Sequence, residues 1–361
     1  MLNVLAGLAL AGAAVLAQPK QPKAGKSKAD KPPKTERTPK PYVASPLFAT
    51  DSVIHVTLTG DWKALGGDRD TLRPKLRAAT LAYTDSAGRV VRIPVQLSTR
   101  GHFRLSRGTC SFPPLRVVFD SGTKHTLFAG QKALKLGTHC NDSNLYEQYV
   151  LREYLAYRAH NLLTPVSFRP RLARMRYVDV RDTTKVVERW GMFLESEREL
   201  GDRLGGDVLT ARGGRYNDVS DSSAALLGIW EYFIGNTDFS LGALHNVRLV
   251  TTPQGMTAVP YDFDFSGLVD TRYSSPDPRL PIKTVRERLY RGPCLTDPQV
   301  ADAVARFTAK RDAIRALYES VPALDKGYAK RAVGYIDDFF ADAKDTKRFA
   351  KDLRETCLPG T

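Results

Sequence analysis

The hydrophobic period changes part-way along this 361-residue chain, and that change restricts the fold more than any other feature. From residue 52 to residue 119 apolar residues recur at alternate positions, the period of a half-buried strand. "VIHVTLTG" alternates, and "RAATLAYTDSAGRVVRIPVQLSTRG" reads as a hairpin turning at Asp85–Gly88. "PPLRVVF" and "KALKLGTH" are two further short strands, so a mostly antiparallel sheet is expected. "NDSNLYEQYVLREYLAYRAHNLL" then moves to a helical period. Tyr146, Val150, Tyr154 and Tyr157 form its stripe, joined by Leu151 and Leu155, with Asp142 or Asn144 as the expected cap. "PRLARMRYVDV" and "ERWGMFLES" return to strands, and "SSAALLGIWEYFIGN" reads as a buried apolar helix. "HNVRLVTT" and "GMTAVPYDFDF" read as a second hairpin with Pro253–Gly255 near its turn. The rest is helical: "DPQVADAVARFTAKRDAIRALYESV", "KGYAKRAVGYIDDFFADA" and a last short helix. Sheet first and helices later predict an α+β fold with a sheet-rich lobe over 44–196 and a mainly helical lobe over 197–361.

The first residues are of another kind. "MLNVLAGLALAGAAVLAQPK" has the short apolar run and small residues of a secretory signal, with cleavage expected after Ala17. The run is too short for a spanning helix of about 20 residues, and no later segment is apolar enough, so the mature chain is expected to lack a transmembrane helix. Residues 18–43 are rich in Lys and Pro and almost free of large apolar side chains, which predicts a disordered basic tether. The formal net charge is +15. The surface charge suits solubility first and anionic partners, such as an envelope polymer, second. The basic residues are not interleaved with an aromatic platform, so nucleic acid is not expected as a partner. The chain has four cysteines and no CxxC spacing, which argues against zinc. In an exported chain an even number favours disulfides, and sequence neighbourhood suggests Cys110–Cys140 and Cys294–Cys357.

One apolar stretch carries an unusual set of polar residues: "IGNTDFSLGALHNVRLVTTPQGMTAVPYDFDFSGL", residues 234–268. Buried carboxylates are costly unless paired or metal-bound. On a strand Asp262 and Asp264 would share one face and repel unless a cation lay between them. Asn246 would join them across the hairpin to make an all-oxygen set suited to Mg²⁺ or Mn²⁺. Asp238, in the loop after the apolar helix, is left to act as a base or to position a nucleophile. His245 is expected to be a polar packing residue. Arg100 and Arg104 in "RGHFRLSRG" are candidates for phosphate, or plain surface charges. No GxSxG elbow, HExxH or dinucleotide-binding glycine fingerprint is present, which leaves hydrolase and dehydrogenase readings without support.

The order Asp, Asn, strand-borne Asp is that of protein-kinase catalytic regions. With "VQLSTRGHFR", "ALKLGTH", "MFLESE", "GNTD…HN" and "PYDFDFSG", the chain resembles the CotH family of atypical kinases over roughly residues 91–267. The resemblance implies a two-lobed protein-kinase-like fold and phosphoryl transfer from ATP to a protein or small hydroxyl acceptor, dependent on Mg²⁺ or Mn²⁺. It implies that Lys135 contacts the ATP phosphates and that Glu153 or Glu147 pairs with it. The segment from Phe193 to Glu195 would lie beside adenine. Asp238 would be catalytic, and Asn246 with Asp262 or Asp264 would bind metal. The chain differs from the family pattern in having Phe239 and Ser240 after the first Asp, where a basic residue and His are usual. Its spacing from Asp238 to Asn246 is also longer, and no glycine-rich phosphate loop is evident. Because ATP is scarce outside the cytoplasm, two other readings are kept. One is a non-catalytic kinase-like module that binds a cell-envelope partner or polymer. The other is a different metal-dependent phosphoryl enzyme, such as a phosphodiesterase.

Overall fold

The alternating stretches between residues 54 and 194 close into a barrel. The computed structural model describes residues 42–359. The expected signal segment, and the tether up to residue 41, lie outside the described residues. The strands are β1 (Ile54–Gly60), β2 (Arg77–Thr84), β3 (Val90–Thr99), β4 (Leu115–Val118), β5 (Ala133–Gly137), β6 (Pro170–Asp179) and β7 (Asp182–Leu194). Two helices interrupt them, α1 (Trp62–Gly67) and α2 (Asn144–Leu163). Around the barrel the order is β1-β2-β3-β4-β5-β7-β6, and β6 returns to β1. The pairings are antiparallel except β1 with β6, which runs parallel from Ile54↔Ala173 to Gly60↔Asp179.

Chain direction explains the place of α2. β5 and β6 both pair antiparallel with β7, so they point the same way. Joining two strands of like direction needs a crossover, and α2 provides it. Closure leaves this sheet no open edge for unwanted pairing. Every second residue points inward, and Val56, Leu81, Ile93, Leu97, Leu136 and Met175 are among those filling the interior. The β2–β3 hairpin turns where the sequence predicts. Asp85 Oδ1 accepts the N–H groups of Ala87 and Arg89, both at 2.9 Å, and Gly88 takes φ +76°, a value that glycine adopts without strain.

The C-terminal region is largely helical: α3 (Glu197–Leu204), α4 (Asp221–Ile234), α5 (Asp297–Thr308), α6 (Arg311–Glu319), α7 (Lys326–Asp342) and α8 (Thr346–Arg354). A two-stranded hairpin, β8 (Val247–Thr252) and β9 (Gly255–Pro260), sits among them. α4 is apolar nearly all round because it runs through the core, where Trp230 and Phe233 pack with Phe263, Phe307 and Phe339. α2 serves this core with Val150, Tyr154 and Tyr157, while Tyr146 stays partly exposed.

Three local expectations need correction. The cap residue of α2 is Ser143, with no side-chain capping bond, and Asp142 pairs with Arg189 instead of capping. The predicted helix over 297–321 is two helices, broken where Lys310 leaves helical geometry at φ −113°, ψ 3°. β9 ends at Pro260, so Asp262 and Asp264 are not strand residues. Asp262 sits at φ +65°, which breaks the two-residue alternation at that point. Both disulfides join the cysteines that sequence neighbourhood pairs, Cys110–Cys140 and Cys294–Cys357. Disulfides persist in oxidising compartments, in agreement with an exported chain. Among the described residues no helix is long and apolar enough to cross a membrane.

Candidate functional site

The cation between Asp262 and Asp264 is an arginine. The segment from Arg100 to Cys110, between β3 and β4, forms a strap that contains a 3-10 turn, Phe103–Leu105. From that turn Arg104 lies between the carboxylates, with Nη2 3.4 Å from Asp262 Oδ1 and Nε 3.3 Å from Asp264 Oδ2. Tyr273 donates its hydroxyl to Asp264 Oδ2 at 2.9 Å, and Asp262 N–H donates to the Tyr157 hydroxyl at 2.7 Å. Phe103 packs against Phe265 and Tyr273, with ring centroids 5.1 and 5.9 Å away, which fastens the strap to the same segment. The Cys110–Cys140 disulfide ties its far end to the connection between β5 and α2.

Burial sets the protonation here as much as charge does. Burial pushes the Asp264 carboxyl up to about 6 against the pull of Arg104. Asp262 feels burial too, but Arg104, Arg100, Lys135 and His245 outweigh it and hold its carboxyl below the usual range. Glu153 on α2 is buried within reach of the same charges, and burial pushes its carboxyl up to about 8, against the opposing pull of Arg104. The sign of the pH effect follows. A carboxyl raised on folding stabilises fully below its ordinary value of 4.5, and that contribution is lost as pH rises toward about 8. Glu153→Gln is therefore expected to match the parent near pH 4 and to exceed it in stability near pH 8. Denaturant unfolding at the two values measures this, and an equal difference at both would rule out the buried proton.

Asp238 is held by its neighbours in the chain. α4 ends at Gly235, in the left-handed region at φ +67°, where any Cβ would collide with the Tyr335 hydroxyl. Three residues on, Asp238 N–H donates to Asn236 Oδ1 at 3.0 Å, and Asn236 Nδ2 donates to the buried Glu231 Oε2 at 2.9 Å. Asn246 Nδ2 donates to Asp238 O at 2.8 Å and to its Oδ2 at 3.1 Å. The long spacing between them folds into a turn closed by the reciprocal Ser240–His245 backbone bonds. His245, expected to be a packing residue, is instead half-exposed, with Nε2 2.9 Å from Asp238 Oδ1. That hydrogen bond raises the imidazole above its ordinary value. Asn246 and Asp262 both have positive φ, at 52° and 65°, and flank Tyr261, whose N–H donates to Asn246 O at 2.9 Å. Backbone held in this region gathers at functional sites, and Asn and Asp are the residues that tolerate it best.

Lys135 on β5 does not make the pairing expected of it. Its Nζ lies 3.3 Å from Glu197 Oε1 on α3, whereas Glu153 is buried and Glu147 pairs with Arg174 at 3.1 Å. Burial, and then the Arg100 guanidinium, pull the Lys135 ammonium down to about 8. Arg248 on β8 reaches the same Glu197 oxygen at 3.0 Å. Both cations lie over the Tyr261 ring, at 4.5 and 4.6 Å from its centroid. Glu195 stands apart from the group. Its carboxylate is buried against Arg203, at 2.9 Å, and accepts the Arg169 N–H at 3.1 Å, while its own N–H goes to Arg169 O. It is committed to fastening β7 to its surroundings, so its side chain is not available to a ligand.

The structure thus brings together Lys135, Arg100, Asp238, Asn246, Asp262, Asp264 and Glu153, and leaves out the Glu195 side chain. Glu197, Arg248, Tyr261 and Tyr273 join the group with no sequence pattern to single them out. Arg104 carried a signal as a phosphate candidate, but its partners are carboxylates. The donors Asn246 Oδ1, Asp262 and Asp264 are all oxygen, as Mg²⁺ or Mn²⁺ prefers. Among the described residues no group of three or more His, Cys, Asp or Glu side chains is placed to hold a metal ion. Cavities of about 340 Å³, at the end of α2, and about 250 Å³, between α4 and the β8–β9 hairpin, lie away from this cluster. No family model matches the chain, and no curated protein matches it.

Proposed function

We propose that this chain is an exported, CotH-like kinase-fold protein that transfers the terminal phosphoryl group of ATP to a hydroxyl on a protein or small molecule. One observation carries the reading. Residues singled out separately along more than a hundred positions, from Lys135 to Asp264, meet at one place where cations face carboxylates. Phosphoryl transfer needs little beyond positioning and charge stabilisation, and this cluster offers both. On this reading the barrel with α2 would be the sheet-rich lobe of a kinase, and the helical region with β8–β9 its partner lobe. Disulfide formation supports a periplasmic or extracellular setting.

The reading assigns these roles. Asp238, steadied by His245 and Asn246, accepts or orients the acceptor hydroxyl. Lys135 and Arg100 would face the phosphates. Mg²⁺ or Mn²⁺ would be held by Asn246 Oδ1, Asp262 and Asp264, with phosphate oxygens completing the shell, once Arg104 withdraws. The ion, when bound, would neutralise charge on the transferring phosphoryl group. The test is incubation with labelled ATP and Mn²⁺. Transfer by the parent and at least a hundredfold loss, on the scale of removing a charge-stabilising group, in Asp262→Ala/Asp264→Ala is expected. Identical behaviour of the two proteins would end the catalytic proposal.

A second reading is a non-catalytic module of the same fold that binds an anionic envelope partner. Two observations favour it: Arg104 already neutralises the Asp pair, and Lys135 is paired with Glu197 and not with Glu153. Calorimetry with nucleotide and metal separates the readings, because absence of binding favours the module.

A further inference from the structure

We infer that Lys135, Arg248 and the Tyr261 ring form a seat for a phosphoryl oxyanion, and that Glu197 is its resident occupant. The inference rests on the reading above that the site receives phosphates, and it deepens that reading by naming Arg248, Tyr261 and Glu197, to which the resemblance gives no role.

Two cations from unrelated elements, one on the barrel and one on the β8–β9 hairpin, converge on a single oxygen, Glu197 Oε1, at 3.3 and 3.0 Å. An acceptor shared this way marks the point where the two positive fields overlap. Tyr261 lies beneath both heads and fixes their spacing. Arg248 does not need Glu197 to keep its position, since Nη1 also donates to Leu244 O at 3.0 Å and Val247 O at 3.1 Å. Glu197 can leave. Its side chain is about one-third exposed, at 35%, and α3 keeps its cap through Ser196 Oγ, which accepts Glu199 N–H at 3.1 Å. Departure would leave two cations unpaired beside Arg100, a charge balance that an incoming phosphate restores. A partly exposed carboxylate holds such a pair less firmly than a buried one, so a multiply charged oxyanion can displace it.

Inorganic pyrophosphate and ATP share this chemistry, and titrating both separates a free phosphate ligand from a nucleotide. With the full disulfide-bonded chain and calorimetry, Glu197→Gln is expected to bind pyrophosphate about five- to tenfold more tightly than the parent, because a competitor worth about 1 kcal/mol is gone. Lys135→Met is expected to weaken binding at least tenfold in the parent and in the Glu197→Gln background. Thermal melts confirm that each variant is folded. If Glu197→Gln is not folded, the Lys135→Met comparison in the parent decides alone. Unchanged or weaker binding in folded Glu197→Gln, or no loss in Lys135→Met, overturns the seat. If pyrophosphate responds as expected but ATP is neither bound nor used, the seat stands and the kinase reading falls. If ATP is used and Glu197→Gln changes nothing, the kinase reading stands and the seat falls.

Discussion

Replacing Arg104 with methionine will destabilise the fold by about 3–5 kcal/mol near neutral pH and will make the protein responsive to divalent cations. Methionine keeps much of the buried apolar stem and removes the charge. What remains is Asp262 and Asp264 facing each other, with Glu153 close by and no counter-charge between them. A partner removed from a buried ion pair leaves an uncompensated charge, which costs far more than the intact pair contributed. The carboxyls will respond by holding protons. Burial already pushes Asp264 up to about 6, and loss of the opposing Arg104 raises it further. A raised carboxyl stabilises at low pH and loses that contribution as pH rises through its folded value. The penalty should therefore be smallest near pH 4 and grow toward pH 8. Mn²⁺ should recover much of the lost melting temperature in the variant and little in the parent, since only the variant has the cation position free. Melts across pH, with and without Mn²⁺, test both parts. A variant as stable as the parent at pH 8 would show that Arg104 is not the counter-ion. A Mn²⁺ response equal to that of the parent would show that the pair is no cation seat.

Opening the Cys110–Cys140 disulfide, by Cys110→Ala/Cys140→Ala, is expected to cost about 4 kcal/mol from chain entropy, given a sequence separation of 30. The effect should not be spread evenly. The bridge ties the strap that carries Arg104 to the connection between β5, which carries Lys135, and α2, which carries Glu153. Without it the strap keeps the Phe103 contacts, the Arg104 pairs, the Arg69 hydrogen bonds to Leu105 O and Cys110 O, and the Asn141 bond to Thr109 O. Amide exchange in residues 100–110 should rise by at least tenfold, while α4, threaded through the main core, keeps its protection. Denaturant unfolding gives the energy and exchange gives its location. Equal protection of the strap in both proteins would mean that the bridge stabilises the fold without organising the site.

Much of the architecture was legible because it is written locally. The β2–β3 hairpin declares itself through alternation on both arms and an Asp-Ser-Ala-Gly turn whose own side chain closes it. α4 declares itself through apolar residues on every face. The two disulfides join neighbours in the sequence. For the site, the grouping of Asp238, Asn246, Asp262 and Asp264 was visible, because they lie within one stretch of chain. Its geometry was not: a strand carried on through Asp264 satisfies the alternation rule, yet the strand stops at Pro260 and a left-handed Asp262 turns the chain.

By itself the sequence determined the α+β order, most of the elements and which polar residues gather after α4, and it suggested the cysteine pairs that the fold makes. Tertiary structure alone decided three things. β1 closes the barrel in parallel on β6, more than a hundred residues away. Arg104, not an external ion, stands between the aspartates. Lys135 takes Glu197, and not Glu153, as its partner. The physical reason is common to all three. Periodicity and turn chemistry act between near neighbours and leave a pattern in the chain. A charge pairs with whatever opposite charge the finished fold brings within a few ångströms, and barrel closure depends on where both ends of a long crossover land.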